Sequence, residues 1–204
     1  MAVQAEKGRR KQSLQGLNNV IKWKQKATEM LINNETICKL LYYPTPDWAN
    51  KPNLTQEQKD ELLKDNIKQY RYIDGIATKK TSVISLGTLQ YSTLEEFRLF
   101  SNDFLQGFII FYILCDVDIM ETNQGIRADL LQQEVYNTFQ AERGFGLGEL
   151  ILKEQQELWV DYNRAGGYTI GFKVVDIKWH LILQISFSIN LSNTKMVLKY
   201  TLLK

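Results

Sequence analysis

FLQGFIIFYILCDVDIMETNQGIRADLLQQEVYNTFQAERGFGLGELIL, residues 104–152, decides how the rest of the chain is read. Its first part, Phe104 to Val117, is apolar at odd and even positions alike. An exposed strand alternates, so this pattern predicts a central strand covered on each side. The run closes on Asp116-Val117-Asp118. A helix is expected over Arg127 to Arg143, with an apolar stripe through Leu130/Leu131, Val135 and Phe139. Asn123 is a candidate cap, Asp129 in the first turn suits the helix dipole, and Gly144 suits the C′ position. Beyond it, two strands are expected, Glu149 to Lys153 and Leu158 to Tyr162. The turn Asn163-Arg164-Ala165-Gly166-Gly167 then predicts a hairpin into Tyr168 to Asp176.

Upstream, Leu14, Leu17, Val20/Ile21, Ala27 and Met30/Leu31 recur at helical spacing. A second apolar turn, Ile37, Leu40 and Leu41, must stop at Tyr43, because the residue before Pro44 disfavours α geometry. All three prolines fall in the linker 44–54. Thr55-Gln-Glu-Gln58 has the form of a capping box and predicts a short polar helix over 56–70. Strands follow from Ser82 to Leu89 and around Phe97 to Leu99. Downstream, Ile177, Trp179, Leu181, Leu183, Ile185, Phe187, Ile189 and Leu191 alternate with mostly polar neighbours. This predicts a long two-faced strand, and Ser192-Asn193-Thr194 can turn it back through Met196, Leu198 and Tyr200. A hairpin of that length needs a cover, and self-association would supply one.

At 204 residues, 44% hydrophobic and 24% charged, the chain fits one globular domain. The expected organisation is a basic arm, residues 1–12, and a single domain, 13–204. That domain divides into a helical part (13–70), a sheet-rich part (80–178) and a hairpin extension (179–204). The net charge of +2 is unevenly placed. Lys7, Arg9, Arg10, Lys11, Lys22, Lys24 and Lys26 stand against Glu6 alone in residues 1–26, so the remainder is net acidic. A basic arm on an acidic body suits an acidic neighbour or nucleic acid. Cys38 and Cys115 lie in apolar runs and read as buried thiols of a reducing compartment. With no apolar leader the chain is expected to stay out of the secretory route, which leaves the sequons at Asn34, Asn53 and Asn190 unused. The run from Phe104 is too short and too β-rich for a membrane helix.

Each constellation with catalytic appearance has a plainer explanation. Gly144-Phe-Gly146-Leu-Gly148 follows a helix and precedes a strand, whereas a phosphate loop must lead into a helix N-terminus. Asp116 and Asp118, two apart on a strand, would share a face and with Glu121 and Glu134 could hold a divalent cation. Acids at a strand end more often mark solvent. Asp161, Asp176 and Lys178 resemble the D…D-x-K core of restriction-type nucleases, in which the acids hold Mg²⁺. Here the acids bracket a glycine hairpin instead. The single histidine, His180, sits in an alternating strand with no nucleophile motif near it. No zinc ligand set exists. The chain is expected to be non-enzymatic and to need no cofactor.

The order of several blocks carries a resemblance. Gln69-Tyr-Arg-Tyr-Ile-Asp-Gly75, Lys79-Lys-Thr-Ser-Val-Ile-Ser85 and Cys115-Asp-Val-Asp-Ile119 come first. Gly125-Ile-Arg-Ala-Asp-Leu-Leu131, Gly146-Leu-Gly148 and Gly166-Gly-Tyr-Thr-Ile-Gly-Phe-Lys-Val-Val-Asp176 follow. Together they resemble tail terminator or neck proteins of contractile-tailed bacteriophages, the large myophages of Gram-positive hosts, over residues 15–178. The resemblance implies an α/β (α+β) subunit, a mixed and mainly antiparallel sheet flanked by helices. It further implies a ring, a hexamer in related proteins, that caps the tail tube and sheath and meets the head-side connector. Virion neck location, assembly in the host cytoplasm and contact with DNA in the neck go with it. The interface candidates are Asp116, Asp118, Arg127, Asp129, Gly144, Gly146, Gly148, Trp179 and Lys195. The alternatives are the Mg²⁺-dependent nuclease and a DNA-binding module built on the arm.

Overall fold

The computed structural model describes residues 20–71, 80–93, 104–160 and 164–177. The fold is mixed α+β. Four α-helices are described: α1 over 20–33, α2 (Glu35–Tyr42), α3 (Gln56–Asp65) and α4 (Arg127–Phe139). The strands are β1 (Ile67–Lys68), β2 (Ser82–Thr93), β3 (Phe104–Asp116), β4 (Glu121–Thr122), β5 (Gly125–Ile126), β6 (Leu147–Val160) and β7 (Ala165–Ile177). Five of them form one sheet in the order β1-β2-β3-β7-β6, while β4 and β5 make a small ribbon ahead of α4. Every pairing in the large sheet is antiparallel except β1 with β2.

Local chemistry sets the helix boundaries. Asn34 caps α2, its side chain accepting from the Ile37 amide at 3.1 Å. Its amide nitrogen also donates to Thr138 Oγ1 at 3.0 Å, which ties the start of α2 to α4. The capping box at α3 forms as expected, with Thr55 and Gln58 satisfying each other's backbone amides. That helix is shorter than expected, because Asn66 turns the chain into β1. Asn66 is nearly buried, and its amide nitrogen donates to Thr81 Oγ1 at 2.7 Å and to the Ser82 carbonyl at 2.8 Å. The segment after α3 is thereby fastened to the start of β2.

β3 is the centre of the sheet, as its composition requires, paired along its length to β2 and β7. Its odd-numbered face carries Ile109, Phe111, Ile113 and Cys115. These pack with Ile84 and Leu86 of β2 and with Ile170, Phe172 and Val174 of β7, beneath Leu31, Leu40, Leu62, Leu131, Val135 and Phe139 of the helices. The Phe139 ring lies 4.4 Å from Phe111 and 6.1 Å from Phe172 by centroid, within the range of favourable aromatic pairs. The opposite face holds a smaller cluster of Val83, Leu114 and Ala165 with Leu158 and Val160. All four described helices therefore pack on one face, where two covered faces were expected. Arg71 lies over the Tyr112 ring on the second face, 5.0 Å from its centroid.

Two other expectations change. The region read as two strands, Glu149 to Lys153 and Leu158 to Tyr162, is one strand, β6. The polar residues Glu154 to Glu157 suggested an interruption, but at the end of a sheet they simply face water. Gly144 is not the C′ residue of α4 either. The helix stops four residues sooner than expected, and Ala141 takes the left-handed conformation at φ 63°. The expected strand around Phe97 to Leu99, the basic arm 1–12 and the hairpin 179–204 with Trp179 and Lys195 lie outside the described residues.

Phe139 touches both central strands, so Phe139→Ala should cost about 3–5 kcal/mol of unfolding free energy by lost burial and cavity formation. Urea denaturation is the measurement, and a loss below about 1 kcal/mol would contradict this packing.

Candidate subunit interface

Arg127 opens α4, where a positive charge opposes the helix dipole. Its side chain is completely buried. Nε donates to the Ile119 carbonyl at 2.8 Å, Nη1 to Leu40 at 2.7 Å and Tyr43 at 2.9 Å, and Nη2 to Thr45 at 3.0 Å. The need for these bonds is written in the linker. The Leu40 carbonyl would ordinarily accept from residue 44, but Pro44 has no N–H. The guanidinium supplies the missing donor and places its charge at the negative end of α2. Burial draws its pKa below the ordinary arginine value, and it remains a cation. Arg127 is thus withdrawn from the surface and corrects the expectation of an interface role. Sequence carried one clue, a cation at the wrong end of a helix.

The acids before α4 separate in the same way. β3 ends at Asp116, and a 3₁₀ turn, Val117–Ile119, follows, so the two aspartates do not share a strand face. Asp116 is buried and caps that turn, its Oδ1 accepting from the Asp118 amide at 2.8 Å. Asp118 is exposed and pairs with Lys80 at 2.7 Å. The hydrogen bond from Lys80 holds its carboxyl below the usual range. Glu134 lies elsewhere, on α4, within 3.4 Å of the Asn34 amide nitrogen. Among the described residues no group of three or more His, Cys, Asp or Glu side chains converges to hold a metal ion.

All three glycines of the loop have positive φ, +88° at Gly144, +122° at Gly146 and +83° at Gly148, where an L side chain is strained. Gly146 has φ +122°, and a Cβ there would stand 2.5 Å from the Val175 carbonyl oxygen, so only glycine lets the loop lie against β7. Beside Gly144 runs Lys26, which bonds Glu142 and the Arg143 carbonyl and sits 4.6 Å from the Phe145 ring centroid. Gly148 has open space around it. Of the residues of the nuclease alternative, Asp176 stands near the end of β7, whereas Asp161 and Lys178, like His180, lie outside the described residues.

Two exposed apolar side chains stand at the sheet end where β3 and β6 finish and β7 begins. Val117 is 45% exposed and Trp159 52% exposed, and the Val117 amide donates to the Arg164 carbonyl at 3.0 Å. Trp159 is opposite Gly166, and a Cβ there would meet its ring at 2.6 Å, so the indole lies over Gly166 of β7. Two positions along β7, the Tyr168 hydroxyl donates to Asp129 Oδ1 at 2.7 Å. Sequence reading missed Trp159 and Tyr168, because cross-strand neighbours are invisible until register is known.

Arg127→Leu should leave two buried and two part-buried carbonyls without this donor and lower stability by about 3 kcal/mol or more, read by urea denaturation. A loss under about 1 kcal/mol would show that the linker reorganises freely. The Tyr168 phenol is pushed from 10.0 up to about 12, first by the hydrogen bond to Asp129, then by burial and the charges of Asp129 and Glu157. A raised phenol adds stability that is fully present below pH 10 and disappears as pH rises through about 12. In Asp129→Asn the Tyr168 titration, isolated by subtracting a Tyr168→Phe spectrum, should fall back toward 10.0. An unchanged titration would dissociate the shift from Asp129.

No curated protein matches the chain. A family model described as YomW, a name of Bacillus phage origin, matches residues 34–174, from the cap of α2 nearly to the end of β7. The chain is a member of the YomW family.

Proposed function

We propose that this protein is a structural subunit of the phage tail or neck, a tail terminator. Its copies form a ring that ends the tail tube and sheath and presents a face to the head-side connector. The family match carries the reading, because it spans nearly the whole described fold and its name is of phage origin. The mixed sheet flanked by helices agrees with the fold expected from the order of the sequence blocks. The work of such a subunit is geometric. Bound at the tube's end, it removes the surface on which the next tube subunit would stack. The exposed end of the sheet, with Val117, Asp118 and Trp159, is the surface offered for such contacts. Of the basic segment, Lys24 bonds the Gln69 carbonyl and Lys26 is bonded to Glu142, so these two are engaged within the subunit.

The test is tail assembly with and without the protein. Electron microscopy should show tubes of uniform length, capped by a ring, when it is present, and overlong tubes when it is missing. Tubes of the same length in both cases, or virions lacking the protein, would overturn the proposal.

A further inference from the structure

Four side chains gather on the helix-bearing face where α4 starts. Glu157 and Trp159 of β6 lie opposite Tyr168 and Gly166 of β7, so both belong to that face. The Tyr168 hydroxyl reaches Asp129 in the first turn of α4, and the charges of Asp129 and Glu157 both act on Tyr168. Asp129, Glu157 and Trp159 are exposed. Among the described residues neither carboxylate has an ion-pair partner. The bond from Tyr168 holds one Asp129 oxygen and leaves the other for an incoming donor. Two carboxylates beside an open indole suit a guanidinium, which stacks on an aromatic face and offers a carboxylate paired donors.

The chain carries its own source of that group. Lys7-Gly8-Arg9-Arg10-Lys11 holds four cations and no acid, and lies outside the described residues. α1 sets where that segment joins the fold. Lys26 of α1 bonds Glu142, just past the end of α4, while Asn34, which follows α1, bonds Thr138. α1 therefore enters at the C-terminal end of α4 and runs towards its middle. Asp129 stands at the other end, and a helix of 13 residues is about 20 Å long. The basic segment joins one end of the subunit and the acidic patch occupies the other, which is the arrangement a head-to-tail contact needs.

We infer that Asp129, Glu157, Trp159 and Tyr168 form a guanidinium-binding patch that takes the Arg9-Arg10 pair of a neighbouring copy. The inference rests on the ring reading and supplies it with a contact between two different surfaces. Repeated about an axis, that contact closes with every patch filled. It also gives a use to the concentration of positive charge in one segment of a chain whose remainder is net acidic.

A cysteine pair and a charge exchange test it in the full chain. Cys38 and Cys115 are buried, and burial pushes both thiols up to about 11, so introduced cysteines are the reactive ones. With Arg10→Cys and Glu157→Cys in one chain, mild oxidation should give a ladder of covalent oligomers. A disulfide formed within single chains, or none at all, overturns the inference. Glu157→Arg should weaken association roughly tenfold or more in sedimentation equilibrium at low salt. Arg9→Glu with Arg10→Glu should do the same, and all three exchanges together should restore it. A protein that stays monomeric at high concentration overturns the inference, as does association indifferent to these exchanges. Rings on tubes of normal length in the Glu157→Arg variant overturn the patch and leave the ring proposal standing. A covalent ladder from a protein that does not affect tube length does the reverse.

Discussion

One buried cation organises the helical layer. Arg127 sits at the start of α4 and donates to carbonyls on three separate stretches: the end of α2, the proline linker and the turn after β3. A guanidinium suits the task because its donors point in several fixed directions, which an ammonium cannot match. Pro44 creates the demand by removing the amide that would have closed the last turn of α2. α2, the linker and α4 are therefore interdependent. The turn after β3 is held at Ile119 by the same group, so the helices are fixed in place over β3 rather than merely resting on it. Burying a charge is costly, and it is tolerated here because each bond meets an acceptor that would otherwise be orphaned.

The frame of this fold was legible wherever a residue's role depends on its immediate neighbours. The capping box at Thr55, the stop before Pro44 and the central place of β3 follow from periodicity and local hydrogen bonding, and each appears in the structure. Long-range contacts were not legible. Arg127 reads as a surface charge because three of its four acceptors lie more than eighty residues away. Asp116 reads as half of an acidic pair, because spacing does not reveal that β3 ends at that residue. Glu154 to Glu157 read as a gap between strands because a polar run has the same composition in a loop and in an exposed edge. Trp159 and Tyr168 acquire their neighbours only through register.

The sheet is asymmetric. Its helix-bearing face closes over an aromatic centre of Phe111, Phe139, Phe145 and Phe172. The opposite face carries the smaller cluster of Val83, Leu114 and Ala165 with Leu158 and Val160, beside Gly167 and Gly171 of β7.

Charge placement follows the same division. Arg127, Asp116 and Lys26 are engaged by backbone or by neighbouring elements, and substituting them would act first on folding. The charges left in solvent are arranged differently. Lys80 pairs with Asp118 at the sheet end, and Arg143 with Glu149 at the start of β6. Exposed pairs of this kind contribute little to stability, typically under about 1 kcal/mol. An outward charge of this kind repels a like charge set opposite it, whereas Asp116 and Arg127 serve the interior.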